Sequence, residues 1–540
     1  MPINKFHKNY TLNEAAYQLK LPLEMEILIP ANDCVRLASQ LVEGMNLTDL
    51  YDTYERVKGN QASPRQMLKI MLYAYLDGCY SSREIESACK RDINYMYLLE
   101  GKPAPDHATI ARFRTLHFAP CAARIMAYFS NYLQDIGEIS GKQIFIDGTK
   151  IEACAGRYTF VWKKAVTKNM EKLLVKIAAL IENCVNAYGL KPIWHGEVKE
   201  KHISKVLKSL YKIKEEEGIE FVSGSGKRKT QLQRDIQQLE EYSDKLKEYK
   251  HQIAVCGNRN SYSKTDNDAT FMRMKEDHML NGQLKPAYNL QHGVDAEYIT
   301  WLTISPNPTD TKTLIPFIED MHRNLSFKYT TIVADAGYES EENYSYLEEN
   351  NLRGFIKPTN YERSKKRNYK NDISLAENME YDSESDCYIC KAGNIIEYAG
   401  ESTKHHKSGY SSKVTQYECK SCKDCPLKSE CIKGNNWKIP EEERFKKLTV
   451  PKVFVRQRKE CLERITSEEG ILLRMNRSIQ VEGSFGILKE DRKFRRFLCR
   501  GKENVYAECV LLALSHNIEK LHRKIQNDRT GTHLFPLKAS

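Results

Sequence analysis

At 540 residues the chain exceeds what one hydrophobic core supports, and about two to four domains are expected. Hydrophobic residues at 41% and charged residues at 29% exclude a wholly disordered chain. No apolar run approaches the roughly 20 residues of a membrane span. The 83 Lys and Arg against 72 Asp and Glu leave a net charge of +11, a modest excess that suits a polyanionic partner without requiring one. The opening MPINKFHKNYTL has no apolar signal-like stretch, so a cytoplasmic location without membrane attachment is expected.

Residues 1–130 read as a helical N-terminal domain. PRQMLKIMLYAYLDG carries Met67, Leu68, Ile70, Met71, Ala74 and Tyr75 on a broad apolar face. Ser81 and Glu84 have the spacing of a capping box. A third helix is predicted from Asp106, with Ile110 and Phe113 inward and Arg112 and Arg114 outward. Short helices with arginines on the last suit a DNA-binding module, and equally a plain bundle with solvated arginines. From Gly141 the pattern turns β-rich, and KQIFIDGTKIEA places Asp147 at the end of a strand. Residues 166–255 return to charged helical periodicity and predict a helical hairpin or coiled-coil insert, with FVSGSGKRKT as its connector.

Strands are predicted at AYNLQHGVD and EYITWLTISP, a helix at TKTLIPFIEDMHRNL, and a further strand at TTIVAD, ending in Asp335. RGFIKP reads as another strand. Strands alternating with helices indicate an α/β core assembled from 141–165, 256–362 and 451–525. Residues 365–440 are set apart by clustered cysteines, and from Pro451 to about Ile525 the chain reads as helical.

Ligands of open α/β sheets gather at the carboxyl ends of strands, where Asp147 and Asp335 are expected. Small residues follow each of them, Gly148-Thr149 and Ala336-Gly337, leaving room for a large substrate. Glu482 lies in RSIQVEGSFGILKEDRKFRRF on a predicted helix, with Lys489 seven residues on and nearly on the same face. Three carboxylates suit hard divalent cations, which take oxygen ligands, and can hold two of them about 3.5–4 Å apart. Taken singly, however, a strand-end Asp is more often a turn or helix cap, and a Glu in a basic helix is usually half of a surface ion pair.

The surrounding text decides between these readings. IDGTKIEA, TDNDATFMRMK, PAYNLQHGVDAEYITWLTISPNPTD, VADAGYESEENYSYLEENNLRGFIKP and VEGSFGILKEDRKFRRFLCRG resemble, in order, the bacterial DDE insertion-sequence transposases of the IS-four-like group. ASPRQMLKIMLYAYLDG and APDHATIARFR resemble the helical leader of that family. The resemblance implies an RNase H-like catalytic domain with Asp147, Asp335 and Glu482 as the DDE triad. It implies two Mg²⁺ (or Mn²⁺) per site, and cleavage and strand transfer of DNA. The implied partners are double-stranded DNA, namely the terminal inverted repeats of the element and target DNA, bound by a homodimer. Relatives often carry an Arg four residues before the Glu and a Lys seven after. Here Lys489 fits, position 478 is Ser478, and the nearby arginine is Arg477. Lys489, Arg492, Arg495, Arg496 and Arg500 are expected to hold phosphates, the other reading being a solvated helix face.

Ten of the 16 cysteines are scattered and read as buried thiols. The other six run Cys387-x2-Cys390 and then Cys419-x2-Cys422-x2-Cys425-Pro-x4-Cys431. Paired CxxC units predict a zinc-ribbon-like insert with a structural Zn²⁺. Six thiols for four places leave the ligand set open on spacing alone. The family resemblance selects Cys390, Cys422, Cys425 and Cys431, with Cys387 and Cys419 as spares. Two rival functions remain at this stage: a non-catalytic DNA-binding zinc protein, and an RNase H-like nuclease without strand transfer.

Overall fold

The computed structural model describes residues 28–191, 198–224, 228–274, 282–406, 408–433, 439–440 and 443–537. The N-terminal MPINKFHKNYTL and residues 225–227 of the expected connector lie outside them.

The described residues from 28 to 135 are helical. Their centre is the helix Pro64–Leu76, buried almost all round between the helix Cys34–Gly44 and the C-terminal helix Lys502–Gln526. Its start is fixed by Ser63, which forms a capping box with Gln66 ahead of Pro64. The box expected at Ser81 does not form. Ser81 is the N-cap of Ser82–Arg91, but its side chain makes no cap bond. Asp106 caps His107–Arg112, accepting from the Thr109 amide, and the helix continues as a π-helical stretch, Phe113–Phe118.

The expectation of an outward Arg114 is corrected, since it lies four residues after the buried Ile110 and so on the same face. Arg112 is exposed, but Arg114 turns inward and is buried, with its guanidinium 3.7 Å from the buried Glu508 of the C-terminal helix and over the Tyr75 ring. Glu508 also accepts from the Leu498 and Cys499 amides. Arg114 therefore docks the helical domain onto the rest of the molecule.

The α/β core is a six-stranded mixed sheet. Strand β1 (Gln143–Glu152) is flanked on one side by antiparallel β5 (Leu284–Asp295) and on the other by parallel β7 (Thr331–Ala334), which is followed by parallel β8 (Arg353–Ile356). The outer edge of β5 carries β4 (Thr270–Arg273) and β6 (Tyr298–Ser305). A short pair, β2 (Phe160–Trp162) with β3 (Ser261–Ser263), stands at the foot of the insert. The paired stretches Ile144–Ile146 of β1 and Ile332–Ala334 of β7 are apolar and buried on both faces, as strands covered on both sides must be.

The insert is a three-helix unit rather than a hairpin: Lys163–Tyr188, Glu200–Glu216 and Gln231–Cys256. It has its own core of Leu173, Ile177, Ile181, Ile203, Val206, Leu210, Ile236 and Leu239. The cysteine-rich segment forms a five-stranded antiparallel sheet in the order β13-β12-β11-β10-β9, from β9 (Glu380–Asp382) and β10 (Cys387–Ile389) through β11 (Ile395–His405) and β12 (Ser411–Glu418) to β13 (Lys447–Val450). The strand β13 carries this unit past the expected boundary at 440. Helices Lys452–Thr466 and Glu468–Arg477 then lead back to the core sheet. No helix among the described residues is long and apolar enough to cross a membrane.

Candidate active site

Asp147 sits in the middle of β1, opposite His292 of β5, and not at the strand end expected from IFID. The strand continues to Glu152 because β5 pairs with it throughout, whereas the parallel neighbour β7 stops at Ala334, opposite Ile146. Asp147 thus stands just where the parallel half of the sheet ends. Asp335 follows β7 directly and caps a one-turn helix, accepting from the Gly337 amide at 2.8 Å. Glu482 ends a π-helical stretch, Ser478–Glu482, packed against β1 and β5.

One guanidinium joins all three acids. Arg477 lies 2.8 Å from Asp147, 3.8 Å from Asp335 and 3.6 Å from Glu482. The pair with Asp147 is largely shielded from water, while Glu482 is more than half exposed. The Arg477 Nε is buried with no hydrogen-bond partner. Three oxygen donors from separate elements therefore converge on one positive charge. That charge stands in for a cation, and a hard divalent metal suits such a donor set. Among the described residues no three His, Cys, Asp or Glu side chains are grouped to hold a metal as they stand. At the triad, Arg477 fills the space between them.

Arg477 lies five residues before Glu482, whereas relatives place an Arg four residues before. The π-helix resolves the offset. Its i→i+5 pattern takes one more residue per turn, so the fifth residue back occupies the face that the fourth would take in an α-helix. Lys489 lies in a second π-helical stretch, Ile487–Asp491, and is half-buried.

A further group went unread in the sequence. Asp310 accepts from Asn289 Nδ2 at 2.8 Å and from Gln291 Nε2 at 3.1 Å, and the buried Tyr338 hydroxyl donates to Gln291. A Cβ on Gly337 would lie 3.0 Å from Asp335 Oδ1 and 3.4 Å from Asp310 Oδ2, so this acid faces Asp335 across the glycine. A Cβ on Gly148 would meet Gln291 Nε2 at 2.3 Å and Asp310 Oδ1 at 2.8 Å, which explains the glycine after Asp147. The alternating polar Asn289 and Gln291, on one face of β5, are the available signal. Behind Asp147, His292 stacks on Phe485 and is kept neutral, its pKa pushed down to about 3 by burial.

The expected phosphate contacts divide. Arg495 is exposed beside Glu490, while Arg496 and Arg500 are exposed but donate to the carbonyls of Ala153, Ala155 and Cys154. Arg492 is buried and held by Glu519 and the Tyr75 carbonyl, so its guanidinium is not presented to a ligand.

Five of the six clustered cysteines line one small cavity of about 20 Å³: Cys390, Cys419, Cys422, Cys425 and Cys431. The Lys446 amide donates to Cys422 Sγ at 3.3 Å. Cys419, expected as a spare, belongs to this group, and burial and the neighbouring Cys422 push its thiol pKa up to about 12. Cys387 does not belong, and its charged neighbours are Asp382, Asp386 and Glu397.

A mixed sheet with acids at the end of its parallel half, and a third acid on a helix packed over it, is compatible with an RNase H-like DDE domain. The comparisons with known proteins carry this further. Residues 389–522 match the family model of a transposase DDE domain, and residues 23–116 match that of a transposase domain (DUF772). Together they support a bacterial DDE insertion-sequence transposase. The first match spans Glu482 and the line of cysteines from Cys390 to Cys431 but neither Asp147 nor Asp335. The second extends over residues 23–27, outside the described ones. No curated protein and no solved structure matches the chain.

Proposed function

We propose that the chain cleaves DNA strands at the ends of an insertion element and joins them to target DNA, using Asp147, Asp335 and Glu482. The observation that carries this reading is the convergence of these three carboxylates, from three separate elements, on the Arg477 guanidinium. In the working enzyme the same oxygens would hold two Mg²⁺ or Mn²⁺ ions. Bound there, such ions supply the activation of a water or 3′-hydroxyl and the stabilisation of the leaving oxygen. Arg477 neutralises the acids while they are unliganded and has to withdraw when they take up metal. Lys489 and Arg495 are proposed to hold DNA phosphate in the last block, and Arg112 offers an exposed cation on the helical domain. The partners under this reading are the terminal inverted repeats and target DNA, bound by a homodimer. Incubating the purified protein with linear DNA carrying the element's own ends, with and without Mg²⁺, tests it. Metal-dependent strand breaks at the ends are expected, and an intact substrate in Mg²⁺ overturns it. Joined products separate the transposase from a nuclease.

The cysteine unit is proposed to hold one structural Zn²⁺ through Cys390, Cys422, Cys425 and Cys431. Their shared cavity fits a single ion, and the Lys446 amide beside Cys422 suits a charged thiolate. Metal ligation would tie a sheet with a small core to its cysteine loops.

A further inference from the structure

A cationic cleft of about 1100 Å³ opens between the foot of the three-helix insert and the segment that follows β6. Lys163, Lys164, Lys168, Arg259 and Lys312 line it, against the acids Glu171 and Glu342. Two of the cations have internal duties. Lys163 Nζ donates to the Gly257 carbonyl at 2.5 Å, and Arg259 holds the carbonyls of Val255, Cys256 and Asp268. Lys164, Lys168 and Lys312 are exposed and form no ion pair with the described residues.

Lys164 and Lys168 lie one turn apart, about 6 Å, on one face of the helix Lys163–Tyr188. The first turn of that helix contains no acid and has no side-chain cap. Its lysines therefore add to the positive end of the helix dipole instead of opposing it, an arrangement that a bound anion relieves. The cleft is also fixed to the acids. The turn Asp310–Lys312 presents Asp310 towards Asp335 across Gly337 and lends Lys312 to the cleft lining. Asn343, also in the lining, donates to the Thr311 carbonyl at 3.0 Å and to the Tyr338 carbonyl at 2.7 Å, which ties that turn to the loop after Asp335.

We infer that this cleft carries the sugar–phosphate backbone of the DNA duplex flanking the bond cut at the triad, with one phosphate on each of Lys164, Lys168 and Lys312. The inference rests on the transposase reading and adds to it the path of the DNA. Contacts of this kind position the duplex and do not read its sequence. The test is fluorescence anisotropy of the metal-free protein with labelled duplexes, one carrying the element's end and one scrambled, over a range of NaCl concentrations. Removing one phosphate-binding cation flattens the slope of log K against log salt by about 0.9, so the triple variant Lys164→Ala, Lys168→Ala, Lys312→Ala should flatten it by about 2.7 on both duplexes. Lys312→Ala alone should flatten it by about 0.9, and the triple Lys→Arg variant should keep the wild-type slope. A steep wild-type slope unchanged in the alanine variants overturns the cleft as the DNA path and leaves the transposase reading standing. A wild-type protein that binds neither duplex overturns both.

Discussion

Replacing Arg477 with Gln isolates the role of the guanidinium that the three acids share. Under the proposed reading it is the cation that a metal would displace. Its contact with Asp147 is 2.8 Å, with the two side chains 14% and 12% exposed, so this pair contributes most. Two unit charges about 4 Å apart attract by roughly 4 kcal/mol at an effective dielectric of about 20, an upper bound before desolvation. The contacts to Asp335 and Glu482, whose side chains are 40% and 59% exposed, are screened and worth about 1 kcal/mol at most. Net of desolvation, displacement costs an incoming cation about 2 kcal/mol, or roughly 30-fold in affinity. Arg477→Gln should therefore bind Mn²⁺ on the order of tenfold or more tightly in calorimetric titration without DNA. Its melting temperature should fall in EDTA and rise further than wild type on adding Mn²⁺. A folded Arg477→Gln protein with unchanged or weaker Mn²⁺ affinity would refute the idea that Arg477 and the metal compete for the same oxygens.

Arg114→Ala should cost about 3 kcal/mol of stability in denaturant titration, because it leaves Glu508 buried without its cation. The salt dependence of DNA binding should not change, and a flattened slope at normal stability would return Arg114 to the DNA surface. Elemental analysis should find about one zinc per chain; Cys425→Ser and Cys431→Ser should lose it, and Cys387→Ser should keep it. Zinc-free protein with an intact fold and six titratable thiols would reduce the cluster to ordinary loop cysteines. His292 and His516 are buried and neutral, each with its pKa pushed down to about 3, so the unfolded chain takes up protons that the folded one refuses. Their stabilising effect is complete above about pH 6.5 and is lost as pH falls towards 3, at up to ~1.4 kcal/mol per pH unit for each. Asp295, raised to about 6 by burial, works in the opposite direction between pH 6 and about 4. Denaturation of His516→Asn across pH 4–7 should show a shallower acid loss than wild type, and an equal loss would contradict this assignment.

The residues that the sequence made legible are those whose role is local. The helix start at Asp106 rests on side-chain chemistry a few residues long, and the strands around Asp147 and Asp335 are short apolar runs. Arg114 lies four residues after Ile110 and so on the same helical face, but its residue type reads as a solvated charge, and only the fold supplies the buried Glu508 that pairs with it. Arg477 departs by one residue from the Arg-to-Glu spacing of relatives, and the π-helical residue count next to Glu482, which no local pattern signals, accounts for that offset. Asp310 depends on tertiary placement, since only the fold sets the 305–313 turn against Gly337. The cysteine unit was visible as spacing, but a five-stranded sheet around it was not, because its strands lie among polar, serine-rich stretches with little alternation. Cys419 and Cys387 illustrate the limit of spacing: both begin a CxxC pair, and only the fold directs one into the cavity and the other away.

The central claim is that Asp147, Asp335 and Glu482 together cut DNA. The most direct test compares Asp147→Asn, Asp335→Asn and Glu482→Gln with wild type on labelled DNA carrying the element's ends in Mg²⁺, with binding to the same DNA measured in parallel. Each swap keeps the size of the side chain and removes the charge that would hold metal. The account predicts that all three variants bind the DNA with near wild-type affinity and leave it uncut. Near wild-type cleavage by any one of them would contradict the triad.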